Sequence, residues 1–228
     1  MKLNIPNLLY RLNEKLLYKL NAYGRRQYEY FYVLRKYVHN GIVLDVGSSQ
    51  GFFTRLLAKS THSVVIAIDI DYHVLKNMKV KDWNIDRICA DAHNLPIRGG
   101  SVSYVLSISL IEHLQKPEKH IMEVHRVLKD GGIFIVQLPN LQYLFEPHTK
   151  FPLLFLFPER IQNKIFEALN YPYVNMKVSI KYFLTLINNM NFSLRETIKI
   201  YHLEIMKLFP IAPSYIFIIE KHTKHLKL

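Results

Sequence analysis

Residues 42–51, Ile-Val-Leu-Asp-Val-Gly-Ser-Ser-Gln-Gly, run an apolar strand into a carboxylate and then into a glycine turn. That combination suits a small-molecule cofactor laid against bare backbone, because glycine permits positive φ and close approach of a ligand to the main chain. Gln50 to Leu57 reads as a helix whose N-terminal N–H groups face the same ligand. The dinucleotide fingerprint requires G-x-G-x-x-G, and the spacing of Gly47 and Gly51 does not supply it. A carboxylate at Asp45 would repel a pyrophosphate, whereas a ligand carrying an ammonium and a sulfonium group tolerates it. Ser63 to Asp69 is a second apolar strand ending in an acid, placed about twenty residues beyond the turn, where a carboxylate accepts from ribose hydroxyls. A third short strand, Arg87 to Ala90, leads into Asp91-Ala92.

Residues 45–51 resemble D-x-G-x-G-x-G, the first motif of the class I S-adenosylmethionine (SAM) dependent methyltransferases, with Ser49 in the place of the middle glycine. Asn94 to Ser107 resembles the family's L-P-F-x-x-x-S-F-D-x-V segment, with Ser103 for the usual acid. Glu112-His113 resembles its E-H pair, and Arg126 to Gly132 its R-V-L-K-P-G-G segment, with Asp130 for proline. The resemblance covers roughly residues 40–140, and the ordered set is more specific than any one piece. It implies an α/β fold: a Rossmann-like, doubly wound, mostly parallel seven-stranded sheet with an antiparallel last strand and helices on both faces. It implies SAM as cofactor, S-adenosyl-L-homocysteine as product, and cofactor binding by Asp45, Gly47, Ser48, Ser49, Gly51, Asp69, Ile70, Asp91, Ala92 and Ser107. Asp91 falls where the family holds the adenine.

The elements that must position these residues follow from periodicity. Strands are expected near 42–46, 63–69, 87–90, 102–108 and 132–137, with helices near 51–59, 72–79 and 117–128 between them. Ahead of this core, Leu8, Leu9, Leu12, Leu16, Leu17 and Leu20 predict an amphipathic helix stopped by Gly24, and a second helix is expected from Arg25 to His39. After it come a helix over 179–190 and two strands, Phe192–His202 and Ser214–Lys221, which in the resembled family form an antiparallel pair. A single domain is expected over 1–228, divided into a helical cap at 1–40, the core at 41–140, an insertion at 141–178 and a closing helix and strand pair at 179–228. The insertion carries the proline-bounded apolar run Phe151 to Pro158. Three readings stand for it: a lid over the pocket, a satellite apolar cluster or dimer contact, and a membrane-touching loop.

Composition bounds the rest. No apolar run approaches the ~20 residues that span a bilayer, so no transmembrane segment is expected, and without signal-peptide features the protein is expected to be cytoplasmic. The single cysteine, Cys89, excludes an intramolecular disulfide and a cysteine-based zinc site, and is expected to be buried in its strand. The eleven histidines show no metal-ligand spacing, so no metal is expected. The net charge of +12 lies outside the core: residues 1–40 carry 8 basic and 2 acidic groups, 41–140 carry 11 and 10, and 141–228 carry 11 and 6. Basic flanks favour anionic partners, whether phosphorylated small molecules, nucleic acid or an acidic membrane surface, although a solvated lysine-rich exterior accounts for them equally.

Methyl transfer from a sulfonium needs no acid for the leaving group, so positioning dominates and a base serves only acceptors that must lose a proton. His148, at the start of the insertion, and His113, after the fourth strand, are the candidate catalytic residues. Exocyclic-amine methyltransferases acting on nucleic acid carry Asn/Asp-Pro-Pro-aromatic after the fourth strand, where this chain reads Ser107-Ile108-Ser109-Leu110. The expected acceptor is therefore a small or lipid-like molecule, possibly anionic, methylated at oxygen. RNA or glycan methylation through the basic flanks, peripheral membrane contact, and a SAM-binding scaffold without turnover remain as alternatives.

Overall fold

The computed structural model describes residues 22–80, 84–144, 153–168, 174–175, 177–201 and 211–222. The expected helix over 8–20 and His148 lie outside them.

Helix α1 (Ala22–Tyr37) leads into β1 (Ile42–Val46), followed by α2 (Phe52–Ser60), β2 (Val64–Asp69), α3 (Tyr72–Asn77) and β3 (Ile85–Cys89). The second half runs β4 (Val102–Ile108), a 3₁₀ turn at Ile111–His113, α4 (Pro117–Val127) and β5 (Leu128–Pro139). A 3₁₀ turn at Leu154–Leu156, α5 (Glu159–Ala168), α6 (Ile180–Asn189), β6 (Phe192–Ile200) and β7 (Ser214–Lys221) complete the described chain. The strands form one seven-stranded sheet in the order β3-β2-β1-β4-β5-β7-β6. β1, β2, β3, β4 and β5 run parallel, and β7 lies antiparallel between β5 and β6. This is the doubly wound, Rossmann-like sheet that the motif order implies.

Side chains of a strand point alternately to its two faces, and the apolar cores divide accordingly. Leu44 and Val46 of β1 and Phe134, Val136 and Leu138 of β5 join Ile121, Val124 and Val127 of α4 and Phe183 and Ile187 of α6 on one face. Val43 of β1 and Ile135 of β5 join Tyr30, Phe31 and Leu34 of α1 and Leu57 and Ala58 of α2 on the other. Both sheet faces are thus covered, which is why the parallel strands read as near-continuous apolar runs. Strand order reverses between β1 and β4, and a ligand crevice forms outside the carboxyl ends of strands at such a switch point.

Several boundaries differ from expectation for identifiable reasons. Gly24 does not stop a helix but lies within α1, whose later turns are held to the sheet by Tyr30, Phe31 and Leu34. α3 ends at Asn77, because Met78 turns extended and its thioether packs under Gly51. β5 begins four residues early, with a register shift opposite Val102 and Tyr104 that accommodates Asp130-Gly131-Gly132. Asp130 itself faces Lys221 Nζ at 3.6 Å. Cys89 is exposed rather than buried, since β3 is the margin of the sheet. Among the described residues no helix is long and apolar enough to cross a membrane, and no group of three or more His, Cys, Asp or Glu is placed to hold a metal ion.

Candidate cofactor site

The turn after β1 is pinned to β2: the N–H groups of Gly47 and Ser48 both donate to the Ile68 carbonyl, at 2.8 and 3.0 Å. Gly47, Ser49 and Gly51 all have positive φ, at 73°, 48° and 73°. The three positions coincide with the three glycines of the resembled motif, and Ser49 tolerates what glycine adopts freely because its N–H is held by the Asp69 carboxylate, Oδ2 accepting at 2.8 Å. Close approach matters at Gly47, where a Cβ would come within 2.9 Å of the Leu110 side chain.

Asp69 ends β2 and its second oxygen accepts from the Asp71 N–H at 3.0 Å, while Asp71 in turn caps α3 through His73 and Val74. Both Asp69 oxygens are thereby oriented by backbone and keep lone pairs for hydroxyl donors. Asp91 accepts from the His93 N–H at 2.9 Å and pairs with His93 Nδ1 at 2.7 Å. The N–H and imidazole of His93 hold its carboxyl below the usual carboxylate range. Asp69 and Asp91, with Gly47, Ile70, Ala92, His93, Leu110, His113 and Leu114, line one cleft of about 560 Å³. That volume lies within the ~300–1,000 Å³ range of small-molecule sites. Lys116 and Lys119 form its basic rim. A second depression of about 510 Å³, between Gln50, Arg55, His73, Val74, Asn77 and Lys79, contains none of the strand-end carboxylates.

Two polar atoms test whether a cofactor fits here. The hydroxyl of Ser48, on the turn, and Nε2 of His93, in the cleft wall, are buried without a hydrogen-bond partner. Buried polar groups of native proteins are almost always satisfied, so orphans at a cleft mark where a ligand completes the set. A ligand with hydroxyls, an amine and an aromatic base matches the two carboxylates and these two orphans.

Asp45 and Ser107 occupy supporting positions off the cleft wall. Asp45 is 2% exposed, accepts from the Thr54 hydroxyl at 2.5 Å, and burial pushes its carboxyl up to about 6. Ser107 is fully buried and faces His120 Nε2 at 2.9 Å, while His120 Nδ1 lies 2.9 Å from the Ala92 carbonyl. A carbonyl only accepts, so Nδ1 carries the proton and Ser107 donates to Nε2. Burial pushes His120 down to about 4, which keeps this brace neutral. His113 is half-buried on the cleft wall. Sequence reasoning passed over Ser48's missing partner, His93 and His120. Only His120 left a signal, sharing the buried stripe of α4 with Pro117, Ile121 and Val124 at helical spacing.

Residues 44–136 match the family model described as "Methyltransferase domain". Over this segment the chain is similar to that methyltransferase family. The segment's boundaries run from within β1 to within β5 and enclose the turn and both cleft carboxylates. The chain is 31% identical over 111 residues to a probable S-adenosylmethionine-dependent methyltransferase of Mycolicibacterium smegmatis, covering 49% of this chain and 42% of that protein. It is 37% identical over 95 residues to the biotin biosynthesis bifunctional protein BioHC of Cellvibrio japonicus, covering 40% and 18%. The chain thus spans less than half the length of these curated relatives. Among solved structures, an S-adenosylmethionine dependent methyltransferase from Mesorhizobium loti superposes with a TM-score of 0.68 at 13% identity, covering 86% of this chain and 98% of that one. At that identity the likeness shows the fold. Together the family match, the relatives and the fold support a class I SAM-dependent methyltransferase domain, with SAM as its cofactor.

Proposed function

We propose that this protein transfers the methyl group of SAM to an oxygen atom of a small or lipid-like acceptor. The observation that carries the reading is the shared cleft: Asp69 and Asp91, from the ends of neighbouring strands, open onto the same space as the glycine turn. SAM supplies a methyl group on a positive sulfur, and the chain's task is to hold it and aim a nucleophile. Asp69 is suited to the ribose hydroxyls, Asp91 and His93 to the base, and the Ser48 hydroxyl to the amino-acid end. The buried Asp45 places negative potential beneath the turn once ionised, which favours a cationic ligand.

Acceptor chemistry rests on the opposite wall. Asn175 joins the end of the insertion to that wall, its N–H donating to the Glu112 carbonyl at 2.6 Å and its side chain to the Leu114 carbonyl at 3.1 Å. A molecule entering beside Leu110 and Leu114 meets apolar surface first, and His148, by its place in the insertion, is the proposed base for proton removal. His113, on the cleft wall, is the alternative base. Incubation with methyl-labelled SAM and fractionated cell extract tests the proposal. Label in extractable lipids or small metabolites, mapped to oxygen by mass spectrometry, supports it; label confined to RNA or protein overturns the acceptor assignment.

A further inference from the structure

The insertion after β5 has a well-packed inner face. Leu154 is fully buried against Leu141, Phe166 and Val174, and the Gln162 side chain donates to the carbonyls of Leu154 and Phe157. Large apolar side chains are exposed on its outer side: Leu156 is 66% exposed, Leu144 49%, Ile161 42% and Leu153 39%. The Leu153 N–H donates to the Leu144 carbonyl at 2.8 Å, which draws two of these residues together. An exposed set of large apolar side chains on a rigidly anchored element marks a contact surface rather than looseness.

Arg160 and Lys164 stand one turn apart on the outer side of α5, next to Ile161, and neither forms an ion pair among the described residues. Glu159 is engaged by Lys177 at 3.4 Å, which leaves Glu167 as the other carboxylate of the helix. The surrounding region, residues 141–228, carries 11 basic and 6 acidic groups. Apolar side chains bordered by unpaired cations are what a bilayer with anionic headgroups takes up: apolar groups at the acyl boundary, cations among the phosphates. A second copy fits less well, because a two-fold contact through this patch would bury the Arg160 and Lys164 of both copies in one interface, with Glu167 as the one carboxylate of each α5 not already engaged.

We propose that the face formed by Leu144, Leu153, Leu156 and Ile161, with Arg160 and Lys164, docks the protein on an anionic lipid bilayer. The patch connects to the cofactor cleft through Asn175, which is bonded to the cleft residue Leu114. Docking stands on the surface alone; that it delivers a membrane-held acceptor rests on the function proposed above.

The test is co-sedimentation of the full chain with vesicles of phosphatidylcholine alone or with roughly one-third phosphatidylglycerol, at low and physiological salt. Binding is expected to the anionic vesicles and to weaken with salt. Leu156→Ser/Ile161→Ser and Arg160→Glu/Lys164→Glu should each weaken partitioning about tenfold or more. Leu194→Ser, a comparably exposed apolar residue on the edge strand β6, should leave it unchanged. SAM affinity by calorimetry should be equal in all these variants, which excludes misfolding and separates the two proposals. Absence of vesicle binding with SAM binding intact overturns the docking and leaves methyl transfer standing. Vesicle binding insensitive to both double variants also overturns it, as does a solution dimer that Leu156→Ser/Ile161→Ser dissociates.

Discussion

Replacing Asp45 with asparagine should change how stability depends on pH, in a direction set by burial. The carboxyl lies beneath the cofactor turn with the hydroxyl and backbone N–H of Thr54 to stabilise its charge, but loss of hydration, aided by the nearby Asp69, outweighs them and raises it from 3.8 to about 6. Between those values the folded protein holds a proton that the unfolded chain has released. The contribution of Asp45 to stability is therefore fully present below pH 3.8 and lost as pH rises through about 6. Integrated from about pH 4.5 to 7, the loss is about 2 kcal/mol. Asparagine preserves the shape and still accepts from Thr54, but does not titrate. The stability of Asp45→Asn relative to the parent should thus rise by about 2 kcal/mol over that interval, or about 4–8 °C in Tm for a chain of this length. His120 works in the opposite sense: it is neutral when folded, so its contribution is present above pH 6.5 and lost as pH falls through about 4. The parent's own curve mixes the two, which makes the variant-minus-parent difference the informative quantity. Urea unfolding of both proteins at several pH values measures it. Parallel stability curves would refute the claim that Asp45 is buried and forced toward its neutral form.

Asp69→Asn should weaken SAM and S-adenosyl-L-homocysteine alike by about 10- to 100-fold, since one charge-assisted hydrogen bond is lost and an amide N–H₂ replaces an acceptor; calorimetry with both ligands checks it, and a loss confined to SAM would point to the sulfonium instead. In Gly47→Ala the new methyl would fall within 2.9 Å of Leu110 in a backbone that disfavours side chains, so stability should drop by about 1–2 kcal/mol and cofactor affinity should fall with it. His148→Ala should lower label transfer roughly a hundredfold at unchanged SAM affinity; full transfer would remove His148 from the chemistry and leave His113.

The parallel core was legible because strand, carboxylate and turn recur in order: Asp69 and Asp91 could be read as cleft residues from the chain alone. Side-chain parity was the harder step. Asp45 shares a strand face with Val43 and so points toward Thr54 of α2, while Ser107 shares one with Val105 and points toward His120 of α4. Both end strands at the ligand edge, yet each reaches the cleft only through what it supports. Cys89 escaped because exposure depends on strand order, which a linear pattern of apolar residues does not contain. The orphaned Ser48 hydroxyl and His93 Nε2 become visible only when every potential partner is in place. The insertion was recognised as apolar, but which of its leucines face outward required the packing of Leu154 and Phe166.

Titration of the purified chain with SAM in a calorimeter bears most directly on the central claim, that the carboxylates at the ends of β2 and β3 and the turn after β1 form one cofactor cleft. One equivalent of SAM bound per chain, with affinity falling in Asp69→Asn, is the predicted result. A folded protein that takes up no SAM, or takes it up equally well without the Asp69 carboxylate, would contradict it.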